Sequence, residues 1–244
     1  MADISTQVNN RLSSLREEFN VITHNLANVS TVGYKRHLNN FAKILEARTS
    51  YGEDTQNSAN TNVSAVDFSQ GAVTQTQRPL DLALFGKGFF TLETPDGELY
   101  TRKGMFHLNS NRQLVDDENR IVAGQAGPVN VPQNIPVSDI VVSDNGTITA
   151  GNLAIGRLRL ASFGDDIGKL IPVGKGCFRM TDDEVEPVVP DETVVKQGAL
   201  EGSNVQMVEE LVDMIMVSRL YESNMKLVSA TKDTSDSLMS VAMG

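Results

Sequence analysis

Of the 244 residues none is tryptophan and one, Cys177, is cysteine. A lone cysteine excludes an intrachain disulfide and a cysteine zinc cage, so a buried, inert thiol is expected there. Positive charge is also scarce: 21 Lys and Arg stand against 31 Asp and Glu, a formal net charge of -10. Nucleic-acid binding needs clustered cations to neutralise phosphates, and with no basic run anywhere that class is excluded. No stretch approaches the roughly 18 consecutive apolar residues of a membrane-crossing helix, and residues 1–10 lack the basic and apolar regions of a secretory signal. A soluble chain is expected, with no membrane insertion and no cleaved-signal export.

The motifs of catalysis are missing as well. Gly86-Lys87-Gly88 and Gly174-Lys175-Gly176 match neither phosphate-loop pattern and read as turns. His24, His37 and His107 never pair at i, i+4, which argues against zinc. There is no G-x-S-x-G elbow, and the acidic run at 181–186 lacks calcium-loop spacing with its central glycine. The expectation is a non-enzyme with no catalytic residues, no metal and no cofactor.

The longest stretches without glycine or proline are the two ends: neither occurs before Gly33, nor between Ser203 and Gly244. Near the start, Val8, Leu12, Leu15, Phe19, Ile22 and Leu26 recur at alternating steps of four and three with polar residues between, a narrow 3.5-residue stripe. This predicts a helix over 5–28, ended by Asn28, Ser30, Thr31 and Gly33. After Gly202, Ser203-Asn204-Val205-Gln206 offers a capping box, and a helix of about 40 residues would run roughly 60 Å. Its apolar residues include Val208, Leu211, Val212, Met214, Ile215, Val217, Leu220, Tyr221, Met225 and Val228, more than one face can hold. Such a helix needs several neighbours, and its spare surface suits heterologous assembly.

Between the helices the period changes. Phe89 to Glu93 and Glu98 to Arg102 flank Pro95-Asp96-Gly97, a hairpin signature, and further strand candidates run to Cys177–Met180. The expected fold class is α+β: two long terminal helices pairing as an antiparallel coiled coil, mostly α, with a β-rich antiparallel middle domain. The expected division is 1–35 with 200–244 for helical assembly, 36–77 as an extended linker that orders on assembly, and 78–199 as the β-rich outer domain.

His24-Asn25-Leu26-Ala27-Asn28-Val29-Ser30-Thr31-Val32-Gly33-Tyr34-Lys35-Arg36 resembles the N-terminal signature of flagellar rod and hook proteins. Arg78 to Leu84 with Gly86 to Phe90, then Tyr100 to Gly104, then Gln197 to Val205 leading to Val208–Ile215 agree in the same order, so the resemblance spans nearly the whole chain. It singles out Asn25, Leu26, Ala27, Asn28, Thr31, Gly33 and Tyr34. It implies an inner helical domain built from both termini, a β-rich outer domain, passage through the flagellar type III export apparatus, and assembly with copies of itself and other rod proteins into the rod that crosses the periplasm. The modest length, without a large middle insertion, resembles rod members rather than the longer hook member, most of all the proximal rod type and next the distal type.

Two of these residues admit a second reading. Asn25 and Asn28 could be recognised during export, or their amides could finish the helix and shape the turn. For the whole chain, the alternative from another class is a carbohydrate- or peptide-binding β module whose helices merely dimerise.

Overall fold

A computed structural model describes residues 2–38, 65–151, 153–182, 185–189 and 193–243. The chain divides into two compact units: Met1–Ala27, His37–Asn60 and Gln206–Gly244 form one, and Asn28–Arg36 with Thr61–Val205 the other. Most of the segment expected as a linker, 39–64, lies outside the described residues. Its far end contributes the strand Val73–Gln75, which pairs antiparallel with Ala199–Glu201.

The second unit is antiparallel β. The hairpin is present: Phe89–Thr94 pairs with Gly97–Thr101, from Phe90 opposite Thr101 to Thr94 opposite Gly97, with Pro95 and Asp96 at the turn. It lies at the middle of a sheet that runs Leu170–Gly174, Cys177–Met180, Gly97–Thr101, Phe89–Thr94, Ile121–Gly124, Leu114–Val115 and His107–Leu108. Ile140–Val142, Thr147–Ala150 and Leu153–Arg157 make a separate three-stranded sheet, and Leu82–Phe85 pairs with Val194–Gln197. Lys175 and Gly176, both at positive φ, turn the chain between Leu170–Gly174 and Cys177–Met180, so the Gly174-Lys175-Gly176 stretch is the tight turn its sequence suggests.

Adjacent phenylalanines in the central strand serve opposite faces, because successive strand side chains alternate. Phe90 and Leu92 join the core of Leu82, Leu84, Phe106, Ile148, Leu158 and Val195. Phe89 joins a second core with Tyr100, Phe163, Leu170 and Phe178. Edge-to-face contacts fix both: Phe90 on Phe106 at 5.1 Å between centroids, and Phe68 on Phe178 at 5.1 Å. Cys177 is buried in the first core, and burial raises its thiol pKa, as an inert cysteine requires.

The first unit contains the helices Ala2–Ala27 and Met207–Met243, of 26 and 37 residues. Here the expected fold class is corrected. The chain is β-rich, helix is the minor part of it, and the two helices do not form a coiled coil. A coiled coil closes a continuous seam of apolar knobs in holes. Of the described stripe, only Ile22 is buried; Leu12, Leu15 and Leu26 are half-buried, and Phe19 is 40% exposed. Where the seam should close there is a groove of about 410 Å³, lined by Leu15, Arg16, Phe19 and Asn20 with Val217, Ser218, Tyr221 and Glu222. The physical reason is the last helix, whose apolar residues are spread over more than one face, so no single stripe is specified to match the narrow one on the first.

The capping box is corrected too. The last helix begins at Met207, four residues past Ser203, and its first turn closes with the Glu210 amide donating to the Gln206 carbonyl at 3.1 Å. Ser203 Oγ instead accepts the Val205 amide at 3.2 Å, a local turn that competes with helix.

Candidate assembly site

The last helix presents two kinds of surface. Val217 is buried, while Met214 and Val228 are half-buried, with Glu210 buried beside them. Val208, Leu211, Val212, Ile215, Leu220, Tyr221 and Met225 are exposed, and so is Met216, which the sequence reading did not single out. Val212, Ile215, Met216 and Leu220 are 50 to 54% exposed. A helix that is apolar all round belongs in an interior, and this one leaves several large apolar side chains in water. On the first helix Val8 lies among residues whose side chains are outside the description.

At the end of the first helix Asn25 is 1% exposed, and its amide is fully used. Its Oδ1 accepts the His37 amide at 2.9 Å and its Nδ2 donates to the His37 carbonyl at 2.9 Å, pairing as one peptide group pairs with another. The same Nδ2 reaches both oxygens of Glu210, at 3.3 and 3.4 Å. Asn25 therefore latches three elements of this unit: the helix end, the returning strand at His37 and the first turn of the last helix. The His24 and His37 rings lie 5.2 Å apart, and burial first, then the charge of His24, lowers the His37 pKa. Glu18 has its carboxyl pKa raised, by burial and then by Asp213 of the last helix.

Residues 28–36 belong to the other unit. The Thr31 amide donates to the Asn28 carbonyl at 3.0 Å and Thr31 Oγ1 donates to Asn28 Oδ1 at 3.0 Å, so Asn28 shapes the turn. Gly33 has φ of +66°, and a Cβ there would sit 2.5 Å from the Lys103 amide nitrogen. Only glycine fits that approach. Its own amide donates to the Glu201 carbonyl at 2.7 Å. Tyr34 is buried, Leu26 half-buried and Ala27 exposed.

Lys35 follows, fully buried and ion-paired to Glu201 at 2.6 Å. Arg102 meets the other oxygen of Glu201 at 3.3 Å and lies over the Phe89 ring, 5.0 Å from its centroid. Glu201 Oε1 also accepts the Gly71 amide at 3.0 Å, and Lys35 Nζ donates to the Ser69 carbonyl at 2.6 Å. Burial lowers the pKa of both Lys35 and Arg102, with Glu201 opposing the shift in each. One carboxylate thus holds two buried cations. Nearby, Asn204 Oδ1 accepts the Arg36 amide at 2.7 Å while its Nδ2 donates to the Asp67 carbonyl at 2.9 Å. None of these four side chains was singled out from sequence, although all four stand inside the quoted motif stretches.

Known families and relatives match along the chain. Residues 9–35 match the family described as flagella basal body rod protein, 83–150 the flagellar hook protein FlgE/F/G D1 domain, and 196–241 the flagellar basal body rod FlgEFG protein C-terminal. The flagellar basal-body rod protein FlgG of Agrobacterium fabrum is 35% identical, over 91% of this chain and 90% of its own length. The chain belongs to the flagellar basal-body rod protein family. The flagellar basal-body rod protein FlgF of Escherichia coli is 34% identical over 87% of both chains, and that of Caulobacter vibrioides 31% identical over 93% and 92%. Relatives named FlgF and FlgG are thus about equally similar. As a member of the rod family the chain is a structural subunit of the flagellar basal-body rod and not an enzyme, and its associations are with itself and other rod components. The three matched segments each supply one member of the buried charge cluster: Lys35 from the first, Arg102 from the second, Glu201 from the third.

Proposed function

We propose that this rod subunit assembles through the outward face of its last helix, with Val208, Leu211, Val212, Ile215, Leu220 and Met225 packed against neighbouring subunits. The observation that carries this reading is that Val212, Ile215 and Leu220 stay 50 to 54% exposed although the same helix buries Val217 and Glu210 on another side. Taking such a side chain from full exposure to full burial is worth about 1.5–3 kcal/mol, so covering the exposed half contributes about half of that for each, a drive to associate in a chain whose relatives are rod proteins. The first helix contributes Leu12, Leu15, Phe19, Ile22 and Leu26, of which Ile22 alone is buried within the chain. The motif Asn25, Leu26, Ala27, Asn28, Thr31, Gly33 and Tyr34 frames the end of the first helix and the turn that follows it, with Asn25 as latch and Asn28 as turn. The subunit reaches the rod through the flagellar type III export apparatus.

Replacing Ile215 and Leu220 by Asp tests the reading, since neither side chain is needed by the fold of one chain. Cells carrying the double variant should export the subunit yet build no complete rods by electron microscopy and lose motility. Normal rods and swimming would sink the assignment.

A further inference from the structure

Tyr34, Lys35 and Arg36 belong to neither helix nor strand, so their backbone groups take partners outside any ladder. Those partners come mainly from one short stretch near the other end of the chain. Glu201 gives its carbonyl to the Gly33 amide at 2.7 Å and a carboxylate oxygen to Lys35 at 2.6 Å. Asn204 gives its Oδ1 to the Arg36 amide at 2.7 Å. The Arg36 carbonyl in turn accepts the Asp67 amide at 2.8 Å, and Lys35 Nζ donates to the Ser69 carbonyl at 2.6 Å. Within residues 31–36, Tyr34 is the one large apolar side chain that is buried. A segment held by polar contacts with little apolar burial is the kind that opens locally, ahead of the rest of a fold.

The charges point the same way. Lys35 and Arg102 share the one carboxylate of Glu201, so the three buried side chains carry a formal +1 when closed. Burial and the Arg102 charge work against the Lys35 ammonium, while Glu201 and Asp67 favour it. If residues 31–36 lift away, Lys35 enters water and Glu201 keeps both Arg102 and the Gly71 amide at 3.0 Å, a neutral pair with no stranded ion. We propose that residues 31–36 are a strap that opens and closes on the second unit as one piece, clasped by Glu201 and Asn204. The N-terminal segment therefore locks in place only once the stretch from Glu201 to Asn204 is seated. This device is independent of how subunits pack against one another.

Native-state hydrogen exchange of the full-length chain tests it. The Gly33, Arg36 and Asp67 amides should share one opening equilibrium, exchanging faster than the strand Phe89–Thr94 and faster than Gly71, whose carboxylate partner stays behind. Asn204→Ala removes the acceptor of the Arg36 amide, yet it should also speed exchange about tenfold at Gly33, which is bonded to Glu201 instead. Acetylation of Lys35 in the native variant should rise in parallel, with the exposed Lys196 as reference. Acceleration at Arg36 and Asp67 with Gly33 unchanged would mean that no single strap exists and would overturn the proposal. Should Asn204→Ala fail to fold, exchange of the wild-type chain decides alone. Strap amides that exchange independently of one another, or only as slowly as Phe89–Thr94, would overturn it equally.

Discussion

Glu201 holds Lys35 and Arg102 in the interior, each cation within 3.3 Å of its own carboxylate oxygen. Removing one partner of a buried ion pair strands charge away from water, so Glu201→Gln is expected to destabilise the β unit by about 3–5 kcal/mol. Circular dichroism in denaturant would show this as a lower midpoint, and adding Lys35→Met should restore part of the loss by removing one stranded cation. Tyr100 supplies a pH signature. Its hydroxyl donates to Glu98 at 3.2 Å, and burial first, then Glu98, pushes its pKa up to about 12. An unfolded tyrosine titrates near about 10, so the neutral ring stabilises the fold fully below that pH, and its contribution falls as pH rises from about 10 through 12. Tyr100→Phe should flatten that part of the stability profile; an unchanged slope would contradict the assignment. At this scale the sequence was least legible. Lys35, Arg102 and Glu201 lie 67 to 166 residues apart along the chain, and no local pattern announces that three charged residues share one interior site.

At the scale of elements, Asn25 is the latch between the end of one helix and the start of the other. Asn25→Ala removes both bonds to the His37 backbone and the contact to Glu210, leaving buried groups unpaired at a cost of about 1–3 kcal/mol. Hydrogen exchange at the His37 amide should accelerate in the variant; unchanged protection there would show that the strand is held by something else. The hairpin around Pro95 and Asp96 was legible because turn chemistry and alternation are local, and so was the end of the first helix at Asn28 to Gly33. The assignment of Phe89 and Phe90 to different cores was not, since it depends on what packs against each face. Nor was the failure of the coiled coil. The heptad stripe on the first helix describes only one partner, and the last helix has apolar residues on every side, so no continuous seam is specified. The capping box failed for a related reason: Ser203 was drawn into a local turn with Val205, and the helix started later.

For the whole molecule, the order of motifs along the chain made the family legible, and the comparisons bear it out over nine-tenths of its length. What motif order could not separate was the inward from the outward side of the last helix. Met214 and Val217 turn inward while Leu220 and Met225 are exposed, a division set by which face meets the first helix. The central claim is that the outward face is buried in the rod, and Met216, 53% exposed in the single chain, reports on it directly. Its thioether is oxidised to the sulfoxide in proportion to its access to solvent. Peptide mass spectrometry after brief peroxide treatment should find Met216 oxidised readily in the purified subunit and at least several-fold more slowly in intact basal bodies. Equal oxidation in both states would contradict the account.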